Sequence, residues 1–194
     1  MVFAAITTAI GVTDDFNKGL IDRFRSLPMA RSAVLTGRAL FDLIYIAGIL
    51  IVLMLSGLAV GWRVHTGVFN FLAGVGLLLL FIFTMSWIGV LLGLSVATVE
   101  AANQDGFTVI FPLTFLSNVF VPTQTLPSWL QPVAEWNPVS ALTAATRQLW
   151  GTPNPFAPEG FPAEHPILLT LIWVGILVSV FAPLAVGRYR SMSR

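Results

Sequence analysis

The sequence predicts an all-α, polytopic membrane protein with four full transmembrane helices and a partial one at its N-terminus. Three observations support this prediction. The 194-residue chain is 56% apolar and only 10% charged, with a mean hydropathy of +0.86, which is far too apolar for a soluble domain. Uncharged runs long enough to cross a bilayer recur along the chain. The charged residues gather between these runs and not in their middles.

The first apolar run, residues 2–12, is too short to span a membrane. As a helix it would reach about 17 Å, against about 30 Å of hydrocarbon. A signal peptide is disfavoured because no basic residues precede the run and Asp14 and Asp15 follow it. We therefore interpret the run as the cytoplasmic end of a span.

The first two full spans follow a polar stretch. Residues 43–61 form one span, which we expect to begin near Ala39, with Arg38 and Asp42 paired at its cytoplasmic end. Residues 69–99 carry no charge over a length that predicts one tilted or extended helix. Within this run Gly89 and Gly93 form a GxxxG pair, which favours close helix contact and is compatible with a dimer face.

Two further spans complete the predicted membrane domain. Residues 100–105 are predicted to be a short polar connection, and residues 107–121 an apolar run that Pro112 bends. Residues 167–186 form the last span, with three arginines after it. Placing both basic clusters on one side puts eight of the ten Lys and Arg residues in the cytoplasm and leaves two outside, which predicts a cytoplasmic C-terminus.

A basic stretch separates the partial helix from the first full span. Its spacing predicts a short amphipathic helix at residues 14–28, with one apolar face made of Phe16, Leu20, Phe24 and Leu27. Three interpretations remain open: a solvated loop that orients the chain, a helix lying on anionic lipid, or a docking helix for a cytoplasmic partner. Nucleic acid is disfavoured because the charges are few and the membrane is adjacent.

Residues 122–138 have the composition of a membrane interface. Four prolines break the backbone into short helices, while Trp129 and Trp136 carry indole rings that prefer the headgroup level. Residues 139–150 then predict a short helix, and residues 151–166 a proline-rich external loop.

No catalytic, cofactor or metal site is predicted. The only lysine, Lys18, is followed by Gly19, so the sequence contains no GxxxxGK[ST] phosphate loop. Cysteine is absent, and His65 and His165 fall in predicted external loops without further ligands. No span carries an ionisable residue at its middle, as a proton- or sodium-coupled carrier usually requires. An enzyme is therefore not expected.

Three segments together resemble a known family. GLIDRFRSLPMAR before a span, the AANQDGF turn, and FPLTFLSNVFVPTQTLPSWLQPVAEWNPVSALTAATRQLW are similar to the permease subunits of ABC-2-type exporters, in the daunorubicin/doxorubicin-resistance branch. The similarity covers nearly the whole chain, residues 1–194, as one permease domain. It implies a multi-pass protein of a bacterial plasma membrane that pairs with another permease copy and with cytoplasmic ATPase subunits, and that exports amphipathic drugs, lipids or glycans.

The resemblance also implies roles for two groups of residues. It identifies residues 14–28 as a coupling helix that enters a cleft of the ATPase, carried by Phe16, Gly19, Leu20, Arg23, Phe24, Arg25, Ser26, Leu27 and Pro28. It identifies residues 122–166 as extracellular re-entrant helices and a loop that cap the pathway, with a signature made of Pro122, Leu126, Pro127, Trp129, Leu130, Pro132, Asn137 and Pro138.

The sequence departs from the family pattern at its N-terminus. The family has six spans, and this sequence begins at what corresponds to the end of the second, so we expect the first span and most of the second to be missing from it. Two other functions therefore stay open: a carrier that needs no ATPase, and a membrane scaffold or fragment that does not transport.

Overall fold

The computed structural model describes residues 2–18, 31–152 and 160–191. Within these ranges the regular structure consists of eight α-helices and one 3-10 turn, with no strand, so the predicted all-α class is confirmed. In chain order the helices are α1 (Ala4–Asn17), α2 (Arg31–Val60), α3 (Val68–Gly93), α4 (Val99–Phe115), α5 (Gln131–Glu135), α6 (Pro138–Trp150), α7 (Phe161–Glu164) and α8 (Pro166–Ser191).

Three of the described helices are long and apolar enough to cross a membrane: Thr36–Val60 within α2, the whole of α3, and the whole of α8. The fourth predicted span, residues 107–121, corresponds to α4, which has 17 residues. A helix of that length reaches about 26 Å, less than the hydrocarbon thickness of about 30 Å. The described residues therefore contain three candidate spans where the sequence predicted four.

The prediction of a polar connection at residues 100–105 is wrong, because these residues form the first turns of α4. The helix begins there because the Thr98 hydroxyl accepts a hydrogen bond from the Ala101 N–H at 3.2 Å, as an N-cap does. Glu, Ala and Gln in these turns are also good helix formers. The break between helices comes earlier: α3 ends before residues 94–98, which are not helical, so the uncharged run 69–99 is not one helix.

The interior proline of α4 stands close to the end of the helix. Pro112 lies inside α4, and the helix ends three residues later at Phe115. Residues 116–121, predicted from the sequence to continue the apolar run, are turns and a bend. Proline lacks the N–H that would bond back along the helix, which weakens the turn around it.

The chain divides into two compact units. We name each one after a helix that lies entirely within it. The α1 unit comprises Met1–Ile49, Ile82–Ile110 and Ile176–Arg194, and the α6 unit comprises Leu50–Phe81 and Phe111–Gly175.

In the α1 unit, helix α1 packs closely against α3 at small residues. A Cβ atom added to Gly89 would collide with the Ala5 carbonyl oxygen, and one added to Gly93 would lie 2.6 Å from the Ala9 carbonyl oxygen. The glycine pair that the sequence singled out therefore admits α1 from the same chain. Such small-residue contacts let two helix backbones approach where lipid offers no hydrophobic driving force.

Candidate functional site

Most residues assigned to ATPase coupling lie outside the described part of the chain. Of the nine, the structure describes Phe16 only; outside it lie Gly19, Leu20, Arg23, Phe24, Arg25, Ser26, Leu27 and Pro28. Phe16 occupies the last turn of α1 and is partly buried. It packs against a core cluster of the α1 unit that consists of Val12, Trp87, Val90, Leu94, Ala185 and Tyr189.

An ion-pair cluster joins the end of α1 to the beginning of α2. Arg38 Nη1 lies 2.6 Å from Asp15 Oδ2, and Arg38 Nη2 lies 3.3 Å from Asp42 Oδ1. Arg38 Nε also donates to Asp42 Oδ2 at 3.4 Å. We call Asp15, Arg38 and Asp42 the α1–α2 clasp. The sequence indicated the Arg38–Asp42 pair from its spacing, but not Asp15, which is 23 residues away from Arg38.

The clasp is largely withdrawn from solvent. The Asp42 side chain is only 2% exposed, whereas those of Arg38 and Asp15 are 23% and 31% exposed. The Arg38 guanidinium also lies 5.6 Å from the centre of the Phe41 ring, within cation–π range. A carboxylate as buried as Asp42 needs a paired, hydrogen-bonded cation, and the two-point contact of Arg38 supplies one.

Gly11 allows the clasp to form. A Cβ atom at this position would overlap the Arg38 guanidinium, so any larger residue would displace the arginine from between its two carboxylates. The close approach of the Arg38 guanidinium explains why a glycine occupies this turn of α1. Backbone conformation does not explain it, because the φ angle of Gly11 is not positive.

The neighbouring carboxylate makes a different kind of contact. Asp14 pairs with Lys18 at 2.5 Å, four residues along the same helix, and both side chains are exposed. The hydrogen bond from Lys18 to Asp14 raises the pKa of the lysine. This pair lies within α1 alone and therefore cannot join α1 to another helix.

Two hydrogen bonds hold the second half of α1 against α3 and the residues after it. The buried Thr13 hydroxyl shares its one proton between the Ala9 carbonyl oxygen of its own helix at 2.9 Å and the Gly93 carbonyl oxygen at 3.0 Å. Asn17 Nδ2 donates to the Ala97 carbonyl oxygen at 3.3 Å. In the same unit, Ile6 packs over Gly106 of α4, where an added Cβ would meet it at 3.0 Å. Helix α1 thus contacts α3, the residues after α3, and α4. The α1–α2 clasp connects it to α2 as well.

The predicted re-entrant signature surrounds the start of α6. Asn137 is the N-cap: its Oδ1 accepts from the Val139 N–H at 2.8 Å, and its Nδ2 donates to the Leu113 carbonyl oxygen at 2.8 Å. Pro138 follows at the first helical position, where its missing N–H costs nothing. One asparagine therefore both starts α6 and ties it to α4.

The other signature residues form the turns before α6. Pro122 precedes the 3-10 turn Thr123–Thr125, and Leu126 follows it in an extended conformation. Gln131 Nε2 donates to the Leu126 carbonyl oxygen at 3.0 Å, so this turn is tied to α5. Between and beyond these residues lie Pro127, Trp129, Leu130 and Pro132, of which Trp129 is 73% exposed.

The end of α6 is attached to the loop between α2 and α3. The Thr66 hydroxyl donates to the Leu149 carbonyl oxygen at 2.6 Å, and the His65 N–H donates to the Trp150 carbonyl oxygen at 3.1 Å. The Trp150 ring lies in edge-to-face contact with Trp62, at a centroid distance of 5.2 Å, and it covers Gly74. Sequence reasoning missed this contact, because the residues on its two sides are more than 75 positions apart and only Leu149 and Trp150 belong to a segment that resembles the family.

The buried side chain of Asn118, beside α6, has no hydrogen-bond partner among the described residues. The Asn118 N–H donates to the Ser140 hydroxyl at 2.9 Å, which fixes the turn after α4 against α6. The side chain of Asn118 is 2% exposed, yet neither Nδ2 nor Oδ1 bonds to any residue that the structure describes. An unpaired buried amide costs about 1–3 kcal/mol. Nothing in the sequence indicates this, because a single asparagine in an apolar run is usually hydrogen-bonded.

Within the described ranges, no three His, Asp or Glu residues are grouped as metal ligands. The described structure therefore consists of long apolar helices, an interhelical ion-pair cluster and a set of short helices broken by proline. These features define a multi-pass helical membrane protein.

The chain belongs to the ABC-2 type transporter family, whose model matches residues 1–149. This match confirms the resemblance found in the sequence. It includes the basic stretch, the clasp, α4 and nearly all of α6. No solved structure gives a significant match to the chain.

Three relatives place the chain within this family. The daunorubicin resistance ABC transporter permease protein DrrB1 of Streptomyces coeruleorubidus is 32% identical over 98% of this chain and 65% of its own length. The probable doxorubicin resistance ABC transporter permease protein DrrC of Mycobacterium tuberculosis is 29% identical over 97% of this chain and 67% of its own. The probable multidrug ABC transporter permease YbhR of Escherichia coli is 26% identical over 75% and 39%. The chain thus spans about two thirds of the length of the first two relatives.

Proposed function

We propose that this chain is the membrane-spanning permease subunit of an ATP-driven exporter, and that it moves an amphipathic drug, antibiotic or lipid out of the cell. The observation that carries the proposal is the family match over residues 1–149, together with relatives named for resistance to daunorubicin and doxorubicin. ATP would be hydrolysed by a separate cytoplasmic subunit, because the sequence contains no phosphate loop.

The proposed cargo follows from the chemistry of the spans. The three candidate spans are strongly apolar, and the ionisable residues of the first, Arg38 and Asp42, occupy its first two turns and are paired with each other. Such a surface suits a molecule with a large apolar part better than a small ion. The permease would work with a second permease copy, either identical or related, in a bacterial plasma membrane.

The proposed contact with the ATPase lies at residues 14–28. Arg23 and Arg25 would make charge-assisted contacts to the partner, while Leu20 and Phe24 would fill an apolar groove. In the cycle that we propose, closure of the ATPase pushes this segment and the motion passes as a rigid-body displacement into α2.

The test is capture of the ATPase by the purified permease, followed by ATPase measurements with and without daunorubicin as a probe cargo. Reversal of Arg23 and Arg25 to Glu is expected to reduce capture by about tenfold or more, because interface arginines are frequent hot spots. Reversal of Arg188 and Arg194 to Glu is the matched control, since it makes the same charge change in the predicted cytoplasmic C-terminal segment of the sequence.

Each competing function predicts a different result in this experiment. Capture without export of the probe would favour a scaffold, and export from vesicles without nucleotide would favour a carrier that needs no ATPase. Equal capture by the Arg23/Arg25 variant and by the control would contradict the proposed docking segment.

A further inference from the structure

Arg38 connects α2 to α1 through an ion pair between residues that are far apart in the sequence. Asp42 lies four residues from Arg38 on the same helix, so that pair would form in α2 alone. Asp15 belongs to α1, and its 2.6 Å contact with Arg38 Nη1 is the ion pair that crosses between the helices. The clasp therefore contains one contact within α2 and one contact that joins α1 to it.

The two halves of the clasp differ in how easily they can be released. Asp42 is 2% exposed and is held by two nitrogen atoms of Arg38, so separating this pair would leave a buried charge without compensation. Asp15 is 31% exposed and is held by one nitrogen, so water can replace Arg38 there at a lower cost. The Asp15–Arg38 contact is thus the half that can open while Arg38 stays on α2.

Helix α1 is held against α3, which fixes the position of Asp15 for this contact. Thr13 and Asn17, which flank Asp15 in the same turns, donate to carbonyl oxygens at Gly93 and Ala97. Gly89 and Gly93 admit the α1 backbone so closely that added Cβ atoms would collide with it. Asp15 is therefore held in place through α3, and the ion pair to Arg38 extends that constraint to α2.

We propose that Arg38 is a positioning residue for transport: it binds Asp15 and Asp42 together and so makes the start of α2 move with α1 as one body. This inference rests on the proposed function, in which ATPase closure displaces α2. While the clasp is closed, a push on α2 is transmitted to α1 and α3. When the Asp15 contact is lost, the start of α2 can move without α1, and a push on α2 is transmitted to α1 and α3 less completely.

The first test measures the separation of α1 and α2 directly. The chain contains no cysteine, so spin labels can be attached at Thr7→Cys and Leu40→Cys, two exposed positions on α1 and α2. Double electron–electron resonance on the full chain in lipid nanodiscs should give one narrow distribution of distances between the two labels. Asp15→Asn should broaden or shift it, whereas Asp14→Asn should leave it unchanged, because Asp14 bonds only within α1 in the contacts described.

One further variant and a comparison of melting temperatures separate positioning from general stability. Asp15→Glu keeps the charge and should restore the narrow distance. Asp15→Asn should keep its melting temperature close to that of Asp14→Asn, because partly exposed pairs contribute little to stability. Arg38 itself is left unchanged in this test, since its removal would leave Asp42 buried and unpaired. Equal distance distributions for Asp15→Asn and Asp14→Asn would overturn the proposal.

The second test uses the complex with the ATPase. Capture is measured first for Asp15→Asn and for Asp14→Asn, because both residues lie in the proposed docking segment. Per captured ATPase, Asp15→Asn should show probe-stimulated ATPase activity about fivefold or more below that of Asp14→Asn, the lower end of ordinary coupling between sites. Unchanged stimulation would overturn the role of the clasp in transport. If the unaltered chain failed to capture any ATPase, the proposed function would fail, while the distance measurement would still decide whether the clasp joins α1 to α2.

Discussion

At the scale of single residues, two buried asparagines next to α6 have opposite energetic roles. Asn137 uses its side-chain oxygen to cap α6 and its nitrogen to hold the Leu113 carbonyl, so both ends of its amide are satisfied. Asn118 is equally buried, but its amide bonds to no described residue. We therefore expect the first asparagine to stabilise the folded chain and the second to reduce its stability.

Substitution by leucine should separate these roles. Asn118→Leu is expected to be neutral or to raise stability by about 1 kcal/mol, because it removes an unpaired polar group and keeps the approximate shape. Asn137→Leu should lower stability by about 1–3 kcal/mol through loss of the cap and of the bond to Leu113. Thermal unfolding of both variants in the same detergent provides the measurement, and equal losses of stability would contradict the assignment.

At the scale of helices, the packing of α1 on α3 depends on glycine only where the two backbones meet. Gly89 has the Ala5 carbonyl oxygen and Thr8 within collision distance of an added Cβ. Gly76 lies on the same helix but has nothing within 4 Å. The same substitution at these two positions should therefore have opposite effects.

Gly89→Ala is expected to destabilise the chain by about 1–3 kcal/mol, as overpacking against a backbone usually does. Gly76→Ala should stabilise it by up to about 1 kcal/mol, since alanine is the better helix former. Unfolding of each variant in detergent, followed by circular dichroism, would measure the difference. A Gly89→Ala variant as stable as Gly76→Ala would show that α1 does not pack on this face.

At the scale of the whole molecule, the distribution of basic residues predicts which ends of the helices face the cytoplasm. Residues 31–38 and 188–194 contain five arginines, whereas the loop between α2 and α3 has one, Arg63. The positive-inside rule therefore places the loop outside and the end of α8 inside. The sequence thus predicts opposite accessibility for two exposed positions, His65 and Ser191.

Single cysteines test this topology in a chain that has none of its own. We expect a membrane-impermeant maleimide to label His65→Cys in intact cells, with at least about tenfold more signal than Ser191→Cys, because charged reagents do not cross the hydrocarbon. Permeabilised cells should give similar labelling of both variants, which controls for reactivity. Labelling of Ser191→Cys in intact cells would reverse the predicted orientation.

Sequence reasoning succeeded where the signal is local in the chain. Helix α6 was predicted at residues 139–150 and is observed at Pro138–Trp150, where Asn137 caps its start and Gly151 follows its end. The connection between α3 and α4 was placed wrongly, because charge at Glu100 and Asp105 was interpreted as a loop. Thr98 starts a helix there, and the charged side chains are exposed on its surface.

The sequence by itself determined the class of the protein, its family and the approximate positions of three of the four spans predicted from it, since hydropathy and an extended motif are properties of consecutive residues. Only the tertiary structure decided which partners distant residues select: Asp15 with Arg38, Gly89 with α1, and Thr66 with the end of α6. The physical reason is that ion pairs, backbone contacts and hydrogen bonds between helices depend on how the helices pack. No pattern along a single chain encodes that packing directly.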